Sequence, residues 1–206
     1  RPNCLPIPGE TLGNVHFAID YLCNPDSYEL GERVTVIGAG NAAMDVARTA
    51  LRKGSPNVTV FSRSAKIAAS KRESEYASVD GVRFELCWEP VEITPEGVIF
   101  RKLAYQEDGT RTAVPDSETL FPSDSVIISI SQGPKNKIVS TTTGIDVNSR
   151  GLLVTNEHGE TTRPGIFASG DVVNGAKTVV EAVRYSKDVA DAMDRYMREH
   201  AGEALN

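Results

Sequence analysis

The sequence predicts an α/β fold in three layers, ββα: helices, a parallel sheet, and an antiparallel β-meander on the sheet's other face. Three observations carry this. Two short β-branched runs, Val34-Thr35-Val36-Ile37 and Val58-Thr59-Val60-Phe61, flank a tight turn and an amphipathic stretch, as a βαβ unit requires. Hairpin-type turns then follow at Pro95-Glu96-Gly97 and Glu107-Asp108-Gly109-Thr110. A third apolar run, Ser125-Val126-Ile127-Ile128-Ser129-Ile130, returns as a buried strand.

The chain has 206 residues, room for one domain or one domain and part of another. Acidic residues number 28 and basic ones 22, for a net charge of −6, which argues against nucleic acid as a partner. Hydrophobic content of 40% and charged content of 24% are ordinary for a globular protein with a core. No apolar run approaches the ~18–20 residues that span a bilayer, and the opening Arg1-Pro2-Asn3-Cys4-Leu5-Pro6 is no secretory signal. Cys4, Cys23 and Cys87 form no Cys-x-x-Cys pair, so neither a redox dithiol nor a metal site is readable, and a reducing cytoplasmic setting is expected.

Taken in order, residues 1–30 read as a connector with one helical patch, Val15 to Leu22, ended by Asn24-Pro25-Asp26-Ser27. Residues 31–131 form the main domain. Gly38-Ala39-Gly40-Asn41 is its first turn, and Ala42 to Lys53 is a helix with Ala42, Ala43, Val46, Ala47, Ala50 and Leu51 on one face. Gly54 caps that helix and Pro56 stops it. Lys71 to Val79 can form a second helix. Short strands Val82–Leu86, Val91–Thr94, Val98–Phe100 and Lys102–Tyr105 make up the meander. Residues 132–206 hold a hairpin around Gly151-Leu152-Leu153-Val154, a strand over Gly165–Asp171, and a long helix from about Ala176 to His200.

Gly38-x-Gly40-x-x-Ala43 follows a strand and opens a helix, the context a Rossmann-like dinucleotide fingerprint demands. Gly38 permits the tight turn, Gly40 lets backbone approach a pyrophosphate, and Ala43 lets helix and strand pack closely. The free amides around Asn41 and Ala42 would hold the diphosphate. Past the second strand an NAD site carries an acid, but here the chain reads Ser62-Arg63-Ser64. Arg63 can grip a 2′-phosphate through charge-assisted hydrogen bonds worth roughly 1.5–3 kcal/mol each. One such contact gives about a 10–100-fold preference for NADP over NAD. Lys66, Lys71 and Arg72 can add positive field, and all four also suit a solvated surface. Gly170-Asp171 suits a sugar or polyol hydroxyl, and equally a plain turn and cap. The helix starting near Thr178 offers unpaired N–H groups. Asp45 falls early in the first helix, where its dipole favours an acid. His16, His158 and His200 match no metal spacing.

At this point the chain resembles the NADPH-dependent flavoprotein small (beta) subunit of glutamate synthase and its relatives. The resemblance rests on Ile7-Pro8-Gly9-Glu10, on Val36-Ile37-Gly38-Ala39-Gly40-Asn41-Ala42-Ala43-Met44-Asp45, and on Gly165-Ile166-Phe167-Ala168-Ser169-Gly170-Asp171 through Thr178-Val179-Val180. It implies an NADPH domain over about 31–130, flanked by pieces of an FAD domain. Gly38, Gly40, Asn41 and Ala42 would cradle the NADPH pyrophosphate. Arg63 and Ser64 would meet the 2′-phosphate. Asp171, after Gly170, would bind the FAD ribityl chain, and Thr178 with Val179 would face the flavin. The intact protein would pass hydride from NADPH to FAD, then electrons to an iron–sulfur protein or large subunit. The family's second arginine after the second strand is Ser64 here, its Met-Pro-Ala is Ile67-Ala68-Ala69, and its Ile-Gly-Gln is Ile130-Ser131-Gln132. Only one glycine fingerprint is present, so the chain is expected to begin after the first FAD βαβ unit, leaving the FAD site incomplete. A non-catalytic NADP-sensing module and a flavin transhydrogenase with a small acceptor are the other functions these features allow.

Overall fold

Nine strands are present among the described residues, which are 3–106, 110–130, 139 and 141–201 of this computed structural model. They are β1 (Val15–Phe17), β2 (Arg33–Ile37), β3 (Asn57–Ser62), β4 (Arg83–Leu86), β5 (Trp88–Thr94), β6 (Gly97–Tyr105), β7 (Arg111–Ala113), β8 (Thr119–Pro122) and β9 (Ser125–Ile128). The helices are α1 (Ala18–Cys23), α2 (Asn41–Arg52), α3 (Lys71–Asp80), α4 (Asp171–Asn174) and α5 (Val179–Glu199). The chain divides into two compact units, Pro2–Ser131 and Gln132–Asn206.

In the first unit, five parallel strands run in the order β1-β9-β2-β3-β4. Strand alternation explains why both faces of this sheet are apolar. Val34, Val36, Val58, Val60 and Ile127 turn to one side, where Tyr21 of α1, Ala43, Met44, Val46, Ala47 and Ala50 of α2, and Ala77 of α3 bury them. Ile37, Phe61 and Val126 turn to the other side, against Ile93, Val98 and Phe100 of the antiparallel sheet. There Phe61 stacks on Phe100 with centroids 4.0 Å apart, and Phe121 meets both edge-on. Each fully buried aromatic or branched side chain contributes roughly 1.5–3 kcal/mol. The result is the three-layer ββα arrangement. β5 pairs β6, and β6 pairs both β7 and β8. The segment before β1 lines the meander: Ile93 N donates to Pro8 O at 2.9 Å, and a Cβ at Gly9 would collide with the Ile93 carbonyl.

Several elements differ from the sequence expectation. The Val15–Leu22 patch splits: Val15–Phe17 is edge strand β1, and only Ala18–Cys23 is helical. Val126 N donates to Asn14 O, so β9 recruits these three residues as its neighbour. Thus part of the 1–30 segment completes the sheet of 31–131. Val82–Leu86 was expected to open the meander, but its residues Arg83–Leu86 close the parallel sheet, with Phe84 opposite Val60. Val98–Phe100 and Lys102–Tyr105 are one continuous strand, because β8 and β7 pair with successive parts of it. The turn expected at Glu107-Asp108-Gly109 and the departure at Ser131 lie outside the described residues.

In the second unit, antiparallel bridges join Val147 to Leu153, Thr155 to Thr161 and Glu160 to Phe167. The strand expected over Gly165–Asp171 is reduced to the single bridge at Phe167, because Gly165 and Gly170 both turn to positive φ. Ile145, Leu152, Val189 and Ala192 are buried. Phe167 meets Tyr196 edge-on at 5.6 Å, and Tyr196 stacks on His200 at 4.0 Å, giving that histidine a structural contact. The apolar face of α5 is not continuous in burial: Val179, Val180 and Val183 at its start are exposed.

Candidate functional site

The site lies at the carboxyl ends of β2 and β3, beside β9. The chain leaves β2 towards β3 and β4, while β9 and β1 lie on the opposite side, so the strand order reverses between β2 and β9. Ligands of open parallel sheets bind in the crevice at such a reversal. Gly38 stands there at φ +114°, and its N–H donates to Phe61 O at 2.9 Å. A Cβ at Gly38 would collide with the Ser129 carbonyl oxygen and lie 2.8 Å from its carbon. Conformation and space therefore both require glycine. Gly40 is different. It caps α2 with φ −85°, and a Cβ there would meet nothing within 4 Å, so the turn is open on that side.

The first bonds of α2 are from Ala43 N and Met44 N to Gly40 O. The amides of Asn41 and Ala42 precede them at the exposed start of the helix, with no acidic residue in its first turn. Ala43 is fully buried, so the helix start sits tightly on the sheet. The Asn41 side chain accepts from Ser70 N at 2.8 Å, and Ala69 N donates to Ala39 O at 2.8 Å. These two bonds fold the 65–70 loop beside the glycine turn. Asp45 is the fifth residue of α2, early in the helix but beyond its first turn. Burial first, then the charge of Glu73, push its carboxyl above the usual range.

Arg63 and Ser64 follow β3 directly. The Arg63 backbone is pinned: the Tyr105 hydroxyl donates to Arg63 O at 3.0 Å and accepts from Ala65 N at 3.0 Å. Cys87 N donates to Ser64 O at 3.4 Å. Ser64 N donates to Ser62 Oγ, and Ser64 Oγ accepts from Lys66 N, so the Ser64 hydroxyl helps shape its own turn. The Arg63 side chain, by contrast, is 63% exposed, with Nη1 3.9 Å from Glu89 Oε1. Lys71 pairs with Glu75, and Arg72 lies over the Tyr76 ring, so α3 itself engages these two cations. Sequence reading did not single out Glu89 and Tyr105. Nothing local marks them, because β5 and β6 deliver them from 26 and 42 positions further along.

The second unit carries the remaining candidates. Gly170 has φ +73° and precedes α4, whose first residue is Asp171. Asp171 Oδ1 accepts a long bond of 3.4 Å from Lys177 N. Thr178 caps α5 through a capping box: its Oγ1 accepts from Glu181 N, while its own N–H donates to Glu181 Oε2. The expected free helix start is thus partly engaged by Glu181, whose bonds from Thr178 hold its carboxyl below the usual range. Val179 beside it is 78% exposed. Cys4, Cys23 and Cys87 are free thiols. No helix among the described residues is long and apolar enough to cross a membrane.

The model of the pyridine nucleotide-disulphide oxidoreductase family matches residues 1–186. The chain belongs to that family. It is 32% identical, over 92% of its length, to a glutamate synthase [NADPH] small chain of Halomonas elongata, and covers 46% of that protein. It is 34% identical, over 82% of its length, to an NADP(+)-dependent formate dehydrogenase subunit beta of Moorella thermoacetica, covering 26% of it. The chain thus spans less than half the length of either relative. Among solved structures, T. acidophilum thioredoxin reductase superposes with a TM-score of 0.73 at 20% identity, covering 97% of this chain and 63% of that one. That likeness shows the fold alone.

Proposed function

We propose that the Gly38–Ala43 turn holds the diphosphate of NADP(H), that Arg63 takes its 2′-phosphate with Ser64 shaping the loop, and that the chain is the nucleotide-binding part of a flavoprotein oxidoreductase. The observation that carries this is the pairing of an open glycine-capped helix start with a backbone-pinned, solvent-facing guanidinium at the next strand end. A dinucleotide fits the residues present: space at Gly40, exposed amides at Asn41 and Ala42, and a cation for the phosphorylated ribose. NADP(H) held by the Gly38–Ala43 turn and Arg63 would supply hydride chemistry, which FAD in the intact oxidoreductase would pass on towards an iron–sulfur protein or large subunit.

The chain's own residues bind and orient. Gly38 keeps the backbone turned at the crevice, Asn41 ties the 65–70 loop beside it, and Tyr105 holds the Arg63 loop still. In the second unit, Gly170 and Asp171 supply a turned backbone and a carboxylate suited to the ribityl hydroxyls of FAD. Thr178 and exposed Val179 supply a helix start and an apolar surface suited to its ring. The free thiols fit a reducing, cytoplasmic compartment.

Calorimetric titration of the 206-residue chain tests the nucleotide reading. NADP is expected to bind about tenfold or more tighter than NAD, and Arg63→Ala to remove the difference while leaving NAD binding within about twofold. Equal affinities in the wild-type chain overturn it.

A further inference from the structure

The end of β3 lacks the carboxylate that an NAD site uses, yet the fold delivers one there. Glu89 Oε1 lies 3.9 Å from Arg63 Nη1, while Glu89 Oε2 accepts from Arg101 Nη2 at 2.7 Å. The second contact is built into the antiparallel sheet, because Glu89 on β5 stands directly opposite Arg101 on β6. Glu89 is therefore held in place by Arg101, its tighter partner, and reaches Arg63 only at the outer limit of an ion pair. Arg63 keeps its freedom: Tyr105 fixes its backbone and not its side chain. Two guanidinium groups and one carboxylate thus stand together beside the turn that follows β3.

We infer that Glu89 is a specificity-determining residue that competes with the nucleotide 2′-phosphate for Arg63 and lowers the preference for NADP over NAD. This rests on the nucleotide reading proposed above. A fixed carboxylate near the phosphorylated ribose repels that phosphate, and a guanidinium already facing an acid must leave it to bind an anion. A 2′-hydroxyl carries no charge and escapes both effects. The long, exposed Arg63–Glu89 pair contributes little to stability, and what Glu89 adds to folding comes through its bond to Arg101.

The test compares NADP and NAD affinities of the whole 206-residue chain by calorimetry, in wild type and in Glu89→Gln. The variant is expected to tighten NADP binding about five- to tenfold, to change NAD binding less than about twofold, and to steepen the salt dependence of NADP binding. In an Arg63→Ala background only the direct repulsion remains, so the same substitution is expected to tighten NADP binding by less than in the wild-type background and to leave NAD binding within about twofold. Should Glu89→Gln melt early, Glu89→Met keeps the stem, removes the charge and reads the same ratio. An NADP-to-NAD ratio unchanged by Glu89→Gln, in a chain whose NADP binding falls with Arg63→Ala, overturns the role of Glu89 alone. A wild-type chain that binds neither nucleotide, or whose binding ignores Arg63, overturns the proposed function and this inference with it.

Discussion

Gly38 and Gly40 stand two residues apart in one turn and meet opposite constraints. Gly38 sits at φ +114° against the Ser129 carbonyl, so Gly38→Ala is expected to destabilise the fold by at least about 1–3 kcal/mol, read as a lower urea midpoint. At Gly40, with φ −85° and empty space around a Cβ, Gly40→Ala is expected to cost no more than about 1 kcal/mol, the poorer N-cap being partly offset by the lower chain entropy of the unfolded state. The same variant is expected to weaken NADP binding more than about tenfold, because the methyl group fills the space proposed for the diphosphate. Retained binding in Gly40→Ala would count against the site. Both glycines were legible from the Gly-x-Gly-x-x-Ala spacing, but their different reasons were not. Arg63 was legible as the cation after the second strand. Its neighbour Glu89 was not, because cross-sheet proximity leaves no trace in local sequence.

At the scale of elements, periodicity worked where an element was long or buried on both faces. β2, α2 and β3 fall where their apolar patterns put them. Val15-His16-Phe17 failed because three residues satisfy a helical and an alternating pattern at once, and pairing with β9 decided for the strand. The Val98–Tyr105 stretch failed in the other sense: it is one nine-residue strand that serves two antiparallel partners. For α5 the start was readable and the capping box was not singled out. Thr178→Ala removes the acceptor of the Glu181 amide and is expected to cost about 0.5–2 kcal/mol of helix stability. A lower thermal midpoint followed by helical circular dichroism checks this, and an unchanged midpoint would show that the cap contributes nothing.

At the scale of the molecule, charge pairs join elements far apart in sequence. Asp124, before β9, accepts from the Arg33 side chain and backbone at the start of β2, and these bonds hold its carboxyl below the usual range. Asp80, at the end of α3, is held low first by its hydrogen bond from Arg48 of α2. A carboxylate lowered on folding adds stability above its ordinary range and loses it as pH falls through the lowered value. His16 acts in the same direction at higher pH. Burial holds its pKa down, so the unfolded chain binds that proton more readily and acid below about pH 6.5 favours unfolding. Asp45, raised by burial and Glu73, opposes the trend. The urea midpoint of the chain is therefore expected to fall between pH 7 and pH 3, and to fall less in Asp124→Asn. An unchanged midpoint across that range would contradict the assignment of these pairs.

By itself the sequence determined the layers, the glycine turn and the cation after β3. Each depends on residues within one strand–turn–helix–strand unit, where spacing along the chain is spacing in the fold. Only the tertiary structure decided that β1 completes the sheet, that Tyr105 clamps the Arg63 loop and that Glu89 stands beside its guanidinium. Those contacts join residues tens of positions apart: β1 is fixed by its pairing with β9, and Tyr105 and Glu89 arrive because the antiparallel sheet packs its aromatic face onto Ile37, Phe61 and Val126.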